Sequence, residues 1–258
     1  MVKKHLSRAY LFIMYLFLYL PIFLLILFSF NDSRYSGKWS GFTLNWYHEL
    51  FADSSIMDSL YTTFAVAVIA ALLSTVIGTI AAIGIFNMRP KVKNVVINLS
   101  YIPMINPDIV IGISLLSFFA LLRMKMGYTT LILSHITFNI PYVIFAVLPK
   151  LMQLNPNIEE AAMDLGATPM QAFFKVILPE LTSGIVTGAL FAFTLSLDDF
   201  IVSFFTTGSG VTTLSIKVYS MTKRGISPKI NALSSLMFVV VLTMMLLLQL
   251  RERGDKEK

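Results

Sequence analysis

The spacing of apolar residues constrains this chain more than any other feature. They gather into blocks about as long as a bilayer is thick, separated by short polar stretches. The blocks run over residues 9–30, 60–86, 95–122, 128–151, 182–206 and 230–250, and each can cross a ~30 Å hydrocarbon layer at ~1.5 Å per helical residue. A soluble core would instead alternate apolar and polar positions within each element. Composition agrees, with 56% hydrophobic and only 13% charged residues against the roughly 25% charged in an average soluble domain. The expected fold class is an all-α membrane protein of about six transmembrane helices. No tandem repeat, linker or low-complexity segment divides residues 1–258, so a single transmembrane domain is expected.

The chain has no cysteine, which excludes disulfide frameworks and thiolate metal sites. Its net charge of +6 sits at block ends, where it orients a membrane protein, and not on a basic face interleaved with aromatics that would hold nucleic acid. The first block follows Lys3, Lys4 and Arg8 and is too long for a signal-peptide core, with no small-residue cleavage site after it, so it reads as a retained helix. With the N-terminus inside, the inner segments hold Lys3, Lys4, Arg8, Arg89, Lys91, Lys93, Lys150, Lys175, Arg251, Arg253, Lys256 and Lys258, twelve of the 20 basic residues. Both termini are therefore expected in the cytoplasm. Pro103 and Pro107 in the third block remove backbone donors, so that span is expected to bend or unwind near its middle.

The largest inner connection reads Glu159-Glu160-Ala161-Ala162-Met163-Asp164-Leu165-Gly166-Ala167-Thr168-Pro169 and continues to Val176, Leu178 and Pro179. Asn155-Pro156 suits a helix start, the acids fall in the first turn, and Gly166 supplies the stop. The sequence thus predicts a short surface helix over about 155–168, a turn, and a second piece that re-enters the membrane after Leu178-Pro179. Its small Ala161 and Ala162 face suits docking into another protein's groove, although Glu-Ala-Ala alone would fit any amphipathic loop helix.

The full spacing resembles the "EAA" coupling motif of ATP-binding cassette importer permeases: Glu160-Ala161-Ala162, then Gly166, then Val176-x-Leu178-Pro179, with Val176 where the family often has Ile. Further segments, among them Pro21, Ser29-Phe30-Asn31, Gly41-Phe42-Thr43 with Trp46-Tyr47, Pro107-Asp108-Ile109-Val110, Ser134-His135-Ile136-Thr137-Phe138 and Leu195-Ser196-Leu197-Asp198-Asp199, resemble the second permease subunit of spermidine/putrescine importers. The resemblance implies a type I importer permease fold in a bacterial inner membrane. It also implies a sister permease subunit forming a heterodimer, two ATPase subunits and a periplasmic polyamine-binding protein. On this reading the chain is no enzyme and carries no cofactor. It has no Gly-x-x-x-x-Gly-Lys-Ser/Thr loop to cradle phosphates, so ATP and Mg are expected on the partner ATPase.

Ionisable groups within a span are costly and usually face a cavity or a partner. Asp108, Asp198 and Asp199 qualify. Counted from the inner ends of their helices, Asp108 lies about 20 Å and Asp198 about 24 Å in, so both reach the outer half of the bilayer. Asp108 also fits the cap of a restarted helix, and Asp198 and Asp199 would point about 100° apart on one helix, so at most one faces the pore fully. His135 falls near the same level and could orient a carboxylate or make an interhelical hydrogen bond. Ser196 is grouped with the pathway. Trp46 and Tyr35 in the outer loop are candidates for cation–π contact with ammonium groups and equally for interface anchors. Acidic groups at a shared depth suit a polyammonium cargo, the substrate class expected. The nearest alternatives are the same architecture carrying an iron complex or an oxyanion, and more remotely a channel or sensor.

Overall fold

The computed structural model describes residues 2–33, 38–223 and 228–256, with no strands among them. Twelve helices follow one another: α1 Val2–Ser29, α2 Asn45–Ala52, α3 Ser54–Phe86, α4 Pro90–Ile105, α5 Asp108–Leu121, α6 Tyr128–Gln153, α7 Ile158–Asp164, α8 Pro169–Ala172, then α9 Leu178–Asp198, α10 Ile201–Thr206, α11 Leu214–Lys223 and α12 Pro228–Lys256. A π-helical turn, Phe173–Ile177, joins α8 to α9.

The membrane architecture is the one expected, with differences at the spans. Four stretches are single helices long and apolar enough to cross: Tyr10–Ser29, Ser54–Phe86, Tyr128–Gln153 and Pro169–Asp198. The third expected span is a pair, α4 and α5, bent by 103°. Pro107 is the cause. It pushes Asn106 to extended backbone (φ −70°, ψ 143°), is itself extended, and lacks the N–H that would continue α4. The fifth span, expected over 182–206, starts earlier, at Pro169, and stops at Asp198; α10 is a separate short helix after a break. In the last helix, the described apolar part is Pro228–Thr243.

The chain groups into two packed units, Met1–Met57 with Lys217–Lys258, and Asp58–Ile216. In the first, α1 and α2 pack on α12. The Asn31 side chain accepts from the Ser40 backbone N–H and donates to the Lys38 carbonyl. Lys229 of α12 pairs with Glu49 at 3.1 Å.

The second unit is built around α6, with Val143, Ile144, Val147 and Leu148 packed against Ala71, Ala82 and Ile85 of α3 and Leu181 and Ala192 of α9. Glycines let the backbones approach, as small residues do between helices in membranes. Val143 is wedged between Gly78 of α3 and Gly188 of α9. Tyr101 of α4 stacks on Phe145 of α6, ring centroids 3.9 Å apart.

Candidate functional site

Two helix breaks face one another across a cavity of about 410 Å³ in the second unit. One is the Asn106-Pro107 bend, after which Asp108 opens α5; the other is the end of α9, where Asp198 is the last helical residue and Asp199 is extended (φ −62°, ψ 124°). Asp108, Asp198 and Asp199 all line the cavity, with Phe138 and Tyr142 of α6, Thr194 and Leu195 of α9, Phe200 between helices, and Pro103 of α4. The volume lies in the range of small-molecule sites, ~300–1,000 Å³. Asp108 and Asp198 are exposed in it. Helices α4 and α9 end there while α5 and α10 begin there, so helix ends of both signs meet at the cavity and its negative charge comes from the carboxylates.

The neighbouring aspartates diverge, but not as two positions on one helix, because Asp199 lies past the end of α9. Asp199 turns inward: Oδ1 accepts from the Val202 backbone N–H at 3.1 Å and Oδ2 from that of Ser203 at 2.7 Å, satisfying free donors at the start of α10. The helix after Pro107 does restart at Asp108, which sits in its first turn. His135 is buried on α6, its Nε2 3.0 Å from Ser203 Oγ and 3.6 Å from Asp199 Oδ2, so it makes an interhelical bond and faces a carboxylate at once.

Besides His135, which stands behind Asp199 and off the cavity wall, two expected pathway residues are placed elsewhere. Ser196 is buried between α9 and α6, accepting from Asn139 Nδ2 at 2.8 Å. Trp46 is buried in α2, not free in a loop, and its indole N–H donates to the Asn31 carbonyl at 2.7 Å, so its ring offers no open face to a cation. Tyr35 lies outside the described residues. The aromatic faces at the carboxylates come instead from Phe138 and Tyr142. Both stand within the fourth span, one helical turn apart, where an apolar reading absorbed them into the block. Asn139 also escaped notice, although an uncharged polar side chain deep in a span is itself a sign of an interhelical contact.

The other candidate surface is the loop before α9. Helix α7 begins at Ile158, three residues after Asn155, because the Asn155 side chain takes the Asn157 backbone N–H at 3.0 Å in a local turn. It ends in a Schellman arrangement: the Ala167 N–H reaches the Ala162 carbonyl, the Gly166 N–H reaches that of Met163, and Gly166 takes φ +91°. Thr168 and Gln171 then form a reciprocal capping box for α8. Glu160 and Ala161 are exposed and Ala162 half-buried. Leu178, half-buried, closes the π turn by bonding the Phe173 carbonyl, and Pro179 follows in the first turn of α9, where its missing donor matters least. Leu165, 90% exposed, and Met170, 68% exposed, leave this loop with an uncovered apolar tip.

Residues 74–252 match the family described as binding-protein-dependent transport system inner membrane component. The chain belongs to this family. As a family member it is the permease component of an ATP-binding cassette transporter, a membrane subunit without a catalytic role. It is 37% identical over 255 residues to the spermidine/putrescine transport system permease protein PotC of Haemophilus influenzae, covering 99% of both chains. It is 38% identical over 258 residues to PotC of Escherichia coli K12, covering all of this chain and 97% of that one. With the putrescine transport system permease protein PotI of the same organism it shares 38% identity over 232 residues, 87% of this chain and 83% of that one. Among solved structures, a bacterial alginate ABC transporter in complex with an alginate-bound periplasmic protein matches at TM-score 0.70 and 18% identity, over 95% of this chain and 93% of that chain. An amino acid ABC transporter matches at TM-score 0.61 and 19% identity, over 82% of this chain and 99% of that chain. These likenesses establish the permease fold.

Proposed function

We propose that this permease imports polyamines, spermidine or putrescine, and forms half of a translocation pathway with a sister permease subunit. One observation carries the reading: two helix breaks bring Asp108 and Asp198 to one cavity floored by Phe138 and Tyr142. A linear polyammonium needs separated anions for its amines and aromatic faces for cation–π attraction of ~0.5–2 kcal/mol each, and this cavity offers both. The identities with PotC and PotI over most of the chain support the same cargo.

A periplasmic binding protein delivers the polyamine from outside. Of the two ATPase subunits, which hold ATP and Mg, one docks on this chain's Ile158–Asp164 helix and its apolar tip. Their closing and opening shifts that helix and, through the π turn and α9, the end of α9 at the cavity. The coupling is mechanical and needs two global states that ATP biases differently. Both termini lie in the cytoplasm, the same side as α7.

The test is uptake. Co-expressed with its partner subunits in cells lacking their own polyamine importers, the chain should restore energy-dependent accumulation of labelled spermidine or putrescine, competed by other polyamines and not by sulfate or ferric chelates. Accumulation of an anion or an iron complex in place of polyamine would overturn the cargo while leaving the permease assignment intact.

A further inference from the structure

The short helix α10 is tied to α6 at both ends. At its far end Thr130 donates to the Thr206 carbonyl at 2.7 Å. At its near end Asp199 bonds the Val202 and Ser203 N–H groups, and His135 of α6 stands against Asp199 and Ser203 with the same nitrogen, Nε2, 3.6 and 3.0 Å away. Gly112 of α5 lets the Phe205 ring of α10 come so close that a Cβ there would lie 2.8 Å from it.

His135 is 1% exposed, does not line the cavity, and its Nδ1 has no hydrogen-bond partner among the described residues. An imidazole with one nitrogen orphaned is a poor choice for filling apolar space, since leucine would occupy it without that penalty. Its worth therefore lies in what Nε2 holds. With the Asp199 carboxylate, which only accepts, 3.6 Å from Nε2, we assign the proton to Nε2, which donates to the Ser203 hydroxyl at 3.0 Å.

We propose that His135 is a positioning residue for transport: it fixes Asp199 and the start of α10 on α6, which sets the break after α9 and so where Asp198 stands in the cavity. The proposal deepens the importer reading above and rests on it for the cargo, but not for the geometry.

The sequence has no cysteine, so Ile201→Cys gives this chain a single thiol at the break. In the assembled transporter, two quantities are measured: the rate at which that thiol reacts with a maleimide, and the half-saturating concentration of labelled spermidine. His135→Leu should change the labelling rate and raise the half-saturating concentration about fivefold, the loss expected for one neutral hydrogen bond of about 1 kcal/mol. His135→Gln, which keeps an amide N–H near the place of Nε2, should recover most of both. In an Asp199→Ala background, His135→Leu should add little, because the two act through one contact.

Unchanged labelling and half-saturation in His135→Leu would overturn the proposal. So would full additivity with Asp199→Ala, or a loss of assembled complex with no change in half-saturation, which is what a packing role predicts. If the unmodified transporter takes up no spermidine, the cargo reading fails, and the labelling rates with their additivity still decide the role of His135.

Discussion

Replacing Gly78 by alanine tests the packing that holds the cavity walls together. A Cβ at that position would lie 2.6 Å from Val143 Cβ, 2.7 Å from its Cγ1 and 3.2 Å from the Ile140 carbonyl oxygen. Relief to ordinary contact requires a shift of roughly 0.8 Å, from 2.6 to 3.4 Å. Val143 cannot yield it: it is fully buried, branched at Cβ, and backed by Gly188, whose own added Cβ would stand 3.2 Å from Val143 Cα and Cγ1. Helices α3 and α6 must therefore part. Overpacking of this kind costs ~1–3 kcal/mol, and alanine returns up to ~1 kcal/mol of helix propensity, which leaves a net loss of about 1–2 kcal/mol. For a chain of this size that lowers the unfolding midpoint by about 2–4 °C. Gly84→Ala on the same helix is the control, because a Cβ there meets nothing within 4 Å. Thermal unfolding of the assembled transporter in detergent compares the two. If Gly78→Ala were as stable as Gly84→Ala, the wedge between α3 and α9 would not be what holds α6 in place.

Ser196→Ala strips Asn139 Nδ2 of its acceptor in a buried setting, so it should cost about 1–2 kcal/mol in thermal stability, and uptake should fall only as far as assembled complex does. Trp46→Phe keeps the ring but loses the indole N–H to Asn31; a loss of about 1–2 kcal/mol is expected on melting, with the half-saturating polyamine concentration unchanged. Gly166→Val forces a β-branched residue to φ +91°, at ~1–2 kcal/mol or more of backbone strain. Co-purification of the ATPase subunits with the transporter should drop, and uptake with it, while Gly166→Asn should be milder.

Four spanning helices and the Pro107 break in a further block were legible because both rest on local rules: hydrocarbon thickness sets span length, and proline denies the next turn its donor. The stop at Gly166 was legible for the same reason, since only a left-handed residue closes that cap cheaply. The break after Asp198 was not. No proline or glycine stands at Asp199 or Phe200, and the helix ends because Asp199 turns to cap α10 and meets His135 across 64 residues of chain. The helical start at Ile158 was likewise misjudged from Asn155-Pro156, a pair equally suited to a cap and to a turn. Trp46 shows a third limit. An aromatic in a polar loop carries no mark of burial, and its fate depends on an Asn31 carbonyl fifteen residues away.

The account's central claim is that Asp108 and Asp198 together receive a polycation, and the most direct measurement is the concentration dependence of ATP-driven spermidine uptake into vesicles. Asp108→Asn and Asp198→Asn preserve size and remove charge. Each should raise the half-saturating concentration or lower the maximal rate by about 5- to 150-fold, the equivalent of ~1–3 kcal/mol for a charge-assisted contact, and the pair together should reduce uptake further, at normal levels of assembled complex. Uptake by the double variant indistinguishable from that of the unmodified transporter would remove these carboxylates from the path and contradict the account.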